Sequence, residues 1–245
     1  MGSLSPPSIL LTTSNEASQE CVTIWDPIAG NSIARLSGEQ ASRSRICLIN
    51  GRLLVVPAAK KPLLLIWDLQ TALCSGCLIG VLPNGHTGSI GELCLPFWSC
   101  HMPLLLVSAD ASGFLSCWDL GSLGEFNLVI KSDPEFSSRS LKHDSPATNS
   151  ALWYAAQVSR GLPRLGSYRD NIIVAGTEGL KFFASRTGVV TRQKSFECPL
   201  HSLAVKEFSR LLFLGGDNGI LFVTTLSNSS GDNLLVRRRC FVESR

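Results

Sequence analysis

The chain has 245 residues, 44% hydrophobic and 17% charged, with a formal net charge of +3. That composition supplies a core for one large all-β domain and argues against global disorder, and so small a positive balance does not demand a nucleic-acid or membrane partner. Nine scattered cysteines, an odd number, and an N-terminus lacking the basic and apolar segments of a secretory signal point to reduced thiols and a cytoplasmic or nuclear location. No apolar stretch reaches the length of about 18 residues that a membrane helix needs.

In chain order, Ser8-Ile-Leu-Leu-Thr-Thr13 reads as a strand, Ser14–Gln19 as a turn and Cys21-Val-Thr-Ile-Trp-Asp26 as the return strand. Pro27–Gly30 punctuates, and Ser32–Leu36 is an outer strand. The second unit runs through Arg45–Ile49, an Asn50-Gly51 hairpin signal, Leu53–Val56, a turn at Lys60-Lys61-Pro62, and Leu63–Asp68, which again ends in Trp-Asp. The third has Asn84-Gly-His86, then Ser89–Leu95, then the stretch Leu104–Asp119, in which two apolar runs flank an acidic, small-residue turn and the second closes on Trp118-Asp119. Asn171–Gly179 with Leu180–Ser185 forms a fourth unit, Ala184-Ser185 standing where Trp-Asp would be. His201–Phe208, Leu211–Gly219, Ile220–Thr225 and Leu234–Val242 form a fifth. Between the third and fourth, Ala151–Val158 is a strand flanked by loops at Ser132–Asn149 and Ser159–Asp170, a loop-rich insertion at about 132–170 in a single domain of residues 1–245.

Repetition at about 40 to 50 residues decides the fold class. Trp25-Asp26, Trp67-Asp68 and Trp118-Asp119, with Gly85-His86 upstream of the last, resemble the repeats of the WD-repeat (WD40) β-propeller superfamily over residues 8 to about 130. The resemblance implies an all-β, WD40-type propeller with about five recognisable units, incomplete or with divergent blades. The first unit lacks an innermost strand. That leaves a compact ring with long insertions, an open arc, or part of a longer protein.

The same resemblance places His86, Ser108, Asp110 and Trp118 in a buried hydrogen-bond network. A Ser, His and Asp set also invites a hydrolase reading, but Ser108 lies inside an apolar strand and no Gly-x-Ser-x-Gly occurs. Cys74-Ser-Gly-Cys77 has zinc-ligand spacing, with Cys94, Cys100 and His101 downstream. It lacks a matching second pair, so it reads as reduced hairpin cysteines, and no metal or cofactor is expected. Arg237-Arg-Arg239 fits a solvated outer strand.

The functional expectation is a non-catalytic scaffold that binds other proteins in a multiprotein complex, with no membrane or small-molecule substrate. Candidate contacts are the turn residues Asn15, Lys60, Lys61, Asp110, Glu178 and Asp217, with Trp153 and Arg164 from the insertion. Two rivals stand beside it. Cys21–Leu36 followed by Ser44–Leu69 is similar to WD-repeat subunits of ribosome-maturation complexes, which implies an RNA-associated role, helped by Arg160, Arg164 and Arg169 near Trp153 and Tyr154. A hydrolase on a propeller scaffold is the other.

Overall fold

A computed structural model describes residues 10–16, 19–37, 46–49, 53–58, 64–68, 78–82, 86–96, 105–120, 153–155, 158–226 and 236–241. They form five antiparallel sheets, each a meander in which neighbours in sequence are neighbours in space. The first sheet has β1 (Leu10–Glu16), β2 (Gln19–Trp25) and β3 (Ser32–Ser37). The second has β4 (Cys47–Ile49), β5 (Leu53–Pro57), β6 (Leu64–Asp68) and β7 (Leu78–Leu82). The third has β8 (Ile90–Cys94), β9 (Leu105–Asp110), β10 (Leu115–Asp119) and β11 (Trp153–Ala155). The fourth has β12 (Arg164–Tyr168), β13 (Asn171–Gly176), β14 (Gly179–Ala184) and β15 (Val190–Lys194). The fifth has β16 (Leu200–Lys206), β17 (Leu211–Gly216), β18 (Ile220–Thr225) and β19 (Val236–Phe241).

Two compact units result. The described residues up to Leu82 form one, and those from His86 onward form the other. In the first, Val22 and Ile24 of β2 pack with Leu54 and Val56 of β5 and Leu65 and Trp67 of β6. In the second, one cluster joins Val107, Leu115 and Cys117 to Leu165, Ile172, Val174 and Phe183, and another joins Ile173, Leu180 and Phe182 to Leu203, Leu212, Leu214 and Phe222. Each cluster spans two sheets, because a four-stranded meander has two apolar faces and cannot bury both alone.

The strand at the insertion is the outer strand of the third sheet: Trp153 pairs with Cys117 and Ala155 with Leu115. The expected loop Ser159–Asp170 is different in its second half, where Arg164–Tyr168 forms the inner strand of the fourth sheet. Its alternation is hidden by Gly166, where a side chain would run into Leu203 and Val205 of the next sheet.

A recurrent irregularity aligns the units. The ladder between the last two strands of a sheet slips at Ile24/Trp25, Ile66/Trp67, Phe182/Phe183 and Val223/Thr224. Such bulges sharpen strand twist. The register puts Leu10 opposite Trp25, Leu54 opposite Trp67, Leu106 opposite Trp118 and Ile172 opposite Phe183. Phe183, not Ala184, therefore stands in the tryptophan position of the fourth unit.

That register also decides what each indole meets. Two residues beyond its partner lies Thr12 in the first sheet and Ser108 in the third. Trp25 Nε1–H donates to Thr12 Oγ1 at 2.8 Å and Trp118 Nε1–H to Ser108 Oγ at 3.0 Å. In the fourth sheet Val174 takes that place, and Phe183 has no N–H to satisfy. The second sheet breaks the match: Val56 stands beneath Trp67, whose Nε1 is buried with no hydrogen-bond partner among the described residues. Val56→Thr is expected to raise stability by about 1 kcal/mol by supplying the missing acceptor. Val107→Thr, in an apolar cluster, is expected to lower it by about 1–3 kcal/mol. Urea midpoints of the two variants check the sign.

Candidate functional site

The third sheet carries the densest polar constellation. Asp110 ends β9, where the chain must turn through Ala111–Phe114 and leave amides unpaired. Asp110 Oδ1 accepts from the backbone N–H groups of Ser112 and Phe114, both at 2.9 Å. Oδ2 accepts from Thr87 at 3.1 Å and Gly88 at 3.2 Å. One carboxylate thus ties the turn after β9 to the segment entering β8. Burial alone would raise the Asp110 carboxyl, but the amides of Phe114, Gly88 and Thr87 and the nearby His86 ring outweigh it, and its pKa lies below the ordinary 3.8.

His86 completes the set. Its Nε2 lies 2.7 Å from Ser108 Oγ, and its Nδ1 lies 3.2 Å from Asp110 Oδ2, a contact that is electrostatic rather than a well-aligned hydrogen bond. The Asp110 carboxylate can only accept, which places the ring proton of neutral His86 on Nδ1, facing it; Ser108 Oγ accepts from Trp118 and has both His86 Nε2 and, at 3.5 Å, the Ser116 carbonyl as acceptors for its own proton. Burial pushes the His86 pKa below 6.5, and the Asp110 charge opposes this without cancelling it, so the ring is neutral near pH 7.

These distances imitate a Ser–His–Asp triad, yet the His86 and Asp110 side chains have 0% exposure and Ser108 is equally sealed. Ser108 Oγ is occupied by an indole N–H on one side and an imidazole on the other. The Asp110 amides bind its own carboxylate, so they are not oxyanion donors. What this arrangement does is hold a blade together.

Asn15 lies within β1, opposite Glu20, because β1 and β2 run further toward each other than the expected turn Ser14–Gln19 allows. Lys60 and Lys61 lie outside the described residues, as do Cys74, Cys77, Cys100 and His101. Glu178 occupies a two-residue hairpin tip and bonds Lys181 Nζ at 2.7 Å; that bond and the Lys181 charge lower its pKa. Trp153 is turned inward: its Nε1–H donates to the Ser185 carbonyl at 2.7 Å, its ring stacks on Phe183 at 6.3 Å, and Gly188 leaves room for it. Cys117 is buried beside it, and burial, then the Asp119 charge, push that thiol up to about 12, far from any reactive range.

Arg164 and Asp217 come together through residues the sequence reading passed over. The inner strands β8 and β16 each carry a bulge near the start, which leaves Gly91 and His201 outside their ladders. The freed His201 carbonyl accepts from Arg164 Nε at 2.7 Å, while Arg164 Nη1 donates to Glu92 Oε1 at 2.6 Å. The His201 ring reaches Asp217 Oδ1 at 2.5 Å. Glu92 is 2% exposed, so Arg164 neutralises a carboxylate taken out of water. The visible sign was a lone carboxylate in the apolar run Ile90–Cys94.

No family model matches this sequence, and no curated protein matches it. Among solved structures, a chain in the crystal structure of the mitotic checkpoint complex superposes with a TM-score of 0.57 and 16% identity, over 88% of this chain and 59% of that one. This chain therefore spans less than two thirds of the length of that structure. With the repeated meanders, the likeness defines the class: an all-β, WD40-type β-propeller fold with five blade units among the described residues. Some 906 solved chains match in structure, so the fold by itself selects no partner.

Two outcomes test the polar networks. As pH falls through about 6.5, the unfolded chain takes up a proton at His86 that the folded chain refuses, so stability present above that pH declines. Below 3.8 the depressed Asp110 adds a second loss of the same sign. His86→Gln should flatten the first limb and spare the second; parallel profiles of urea midpoint against pH for variant and parent would refute the neutral, desolvated ring. Arg164→Ala should cost about 3 kcal/mol, and Arg164→Ala with Glu92→Leu should recover part of it, since the buried charge is then gone. Denaturation of the two variants side by side reads the difference.

Proposed function

We propose that this chain is a non-catalytic scaffold that binds other proteins within a multiprotein complex of the cytoplasm or nucleus. The observation that carries the reading is the sealed His86–Ser108–Asp110 set: the side chains best suited to chemistry are bonded into a blade. Further bonds stiffen the connections that face solvent. Ala111 N–H donates to the Ser89 carbonyl, Val158 N–H to Gly113, and Arg160 N–H to Thr177 Oγ1. Each bond joins two different connections at the strand ends that carry Asp110 and Glu178. Short loops held on a rigid frame are where binding residues concentrate, and their low mobility reduces the ordering cost of association. Ser112, Arg160, Thr177 and Glu178 are exposed there and offer both charges and hydroxyls. The similar solved chain belongs to a protein complex by its description, in keeping with a propeller that works among partners. No cofactor or small-molecule substrate enters this reading.

Affinity purification of the intact chain from cell extract, with and without nuclease, tests it. A defined protein set that survives nuclease is the expected result. Partners that vanish with nuclease would instead favour an RNA-associated particle, and recovery of the bare chain would overturn both readings.

A further inference from the structure

The end of the second unit opposite the Asp110 turn has a different character. Strands β12 and β16 run side by side in the same direction: Arg164 reaches the His201 carbonyl near their starts, and Gly166 faces Leu203 and Val205 further along. Their far ends therefore emerge together, and so do the hairpin tips that follow, Arg169-Asp170 and Glu207–Arg210. A third turn joins them, because Ser185 N–H donates to the Asp170 carbonyl at 2.8 Å and brings Arg186 alongside.

On these three turns Phe208 is exposed at 103% of its reference area, and Val189 at 61%. Arg169, Arg186, Lys206 and Arg210 are exposed around them, against the exposed carboxylates Asp170 and Glu207. The tip bearing Phe208 is fixed: Arg210 N–H donates to the Glu207 carbonyl at 3.0 Å, and the Arg210 carbonyl accepts from Leu226 N–H at 2.7 Å. Both tips place an arginine in the left-handed region, Arg169 at φ 51° and Arg210 at φ 52°, where glycine or asparagine is the easier residue. An uncovered aromatic on a rigid turn has the features of an interface anchor, and excess positive charge selects the sign of what it meets.

We propose that this end docks an extended acidic segment of a partner protein, with an apolar side chain on Phe208 and Val189 and carboxylates beside Arg169, Arg186 and Arg210. The inference rests on the scaffold reading and assigns it a surface and a partner chemistry.

A random dodecapeptide display library selected on the intact chain provides the probe. Enriched peptides, synthesised and labelled, are titrated by fluorescence anisotropy against the parent, Phe208→Ser and Arg169→Asn/Arg210→Asn, at about 50 and 200 mM salt. Both variants alter exposed positions, and asparagine accepts the left-handed backbone, so both should melt like the parent. Expected are peptides with acidic residues flanking an apolar one, roughly tenfold weaker binding with Phe208→Ser, and several-fold weaker, less salt-dependent binding with the arginine variant. Failure to enrich acidic peptides, or affinities indifferent to both variants, overturns the proposal. So does tight binding of a labelled polyuridine oligomer lost in the same variants, since the occupant would then be RNA. A nuclease-resistant complex recovered equally by the parent and Phe208→Ser sinks this surface and leaves the scaffold reading standing. A parent chain that recovers no such complex sinks the scaffold reading itself.

Discussion

One carboxylate governs the third blade. A turn and an entering loop together present four backbone N–H groups to Asp110. A buried amide left unbonded costs about 1–3 kcal/mol, so four of them make the turn's conformation depend on that acceptor staying ionised. His86 helps from the second side without becoming charged. Its proton faces the carboxylate, and its other nitrogen anchors Ser108, which in turn fixes Trp118. The order is loop, carboxylate, ring, hydroxyl, indole, and each member takes its orientation from the one before. Asp26 is a smaller version in the first unit: its Oδ1 accepts from Ile28 and Ala29, and those amides hold its carboxyl below the ordinary range.

The blades differ in how polar their interiors are, and the differences follow from single residues. Where one strand offers a hydroxyl, Thr12 or Ser108, the strand after it carries Trp; where it offers Val174, the strand after it carries Phe183. Apolar pairing and hydrogen-bonded pairing are two ways to fill the same space without an orphaned donor. Between blades, polar contacts recur at the ends of strands, as Arg164 with Glu92 and Trp153 with Ser185, while the middle is aliphatic.

Much of this was legible in the sequence, because the strongest signals are physical ones. Apolar runs ending in Trp-Asp mark strands whose indole needs a partner, and His86, Ser108, Asp110 and Trp118, grouped by the resemblance to WD repeats, lie within hydrogen-bonding or ionic reach of one another. What was illegible depended on neighbours. Strand β12 reads as loop because Gly166 and Ser167 interrupt it, and the need for Gly166 comes from Leu203 of the next blade. Arg164, in an expected loop, and Trp153, in the expected strand of the insertion, are both candidate contact residues by sequence, yet each acts across a blade boundary that periodicity within one blade cannot reveal. That Phe183 and not Ala184 takes the tryptophan position follows from its pairing with Ile172 on the neighbouring strand, which a count of residues along the chain does not see.

The direction of those boundary contacts bears on how the protein is made. Ladders within a meander are local, and a hairpin closes in about 1–10 μs. A ribosome adding about 5–20 residues per second takes seconds to deliver the next blade. Through that interval the nascent third blade has its own ladders but no Arg164 for Glu92 and no Leu165, Ile172 or Phe183 to cover Val107 and Cys117. The chain is most exposed to misassembly then, and the arrival of β12 supplies the cation and the apolar cover together.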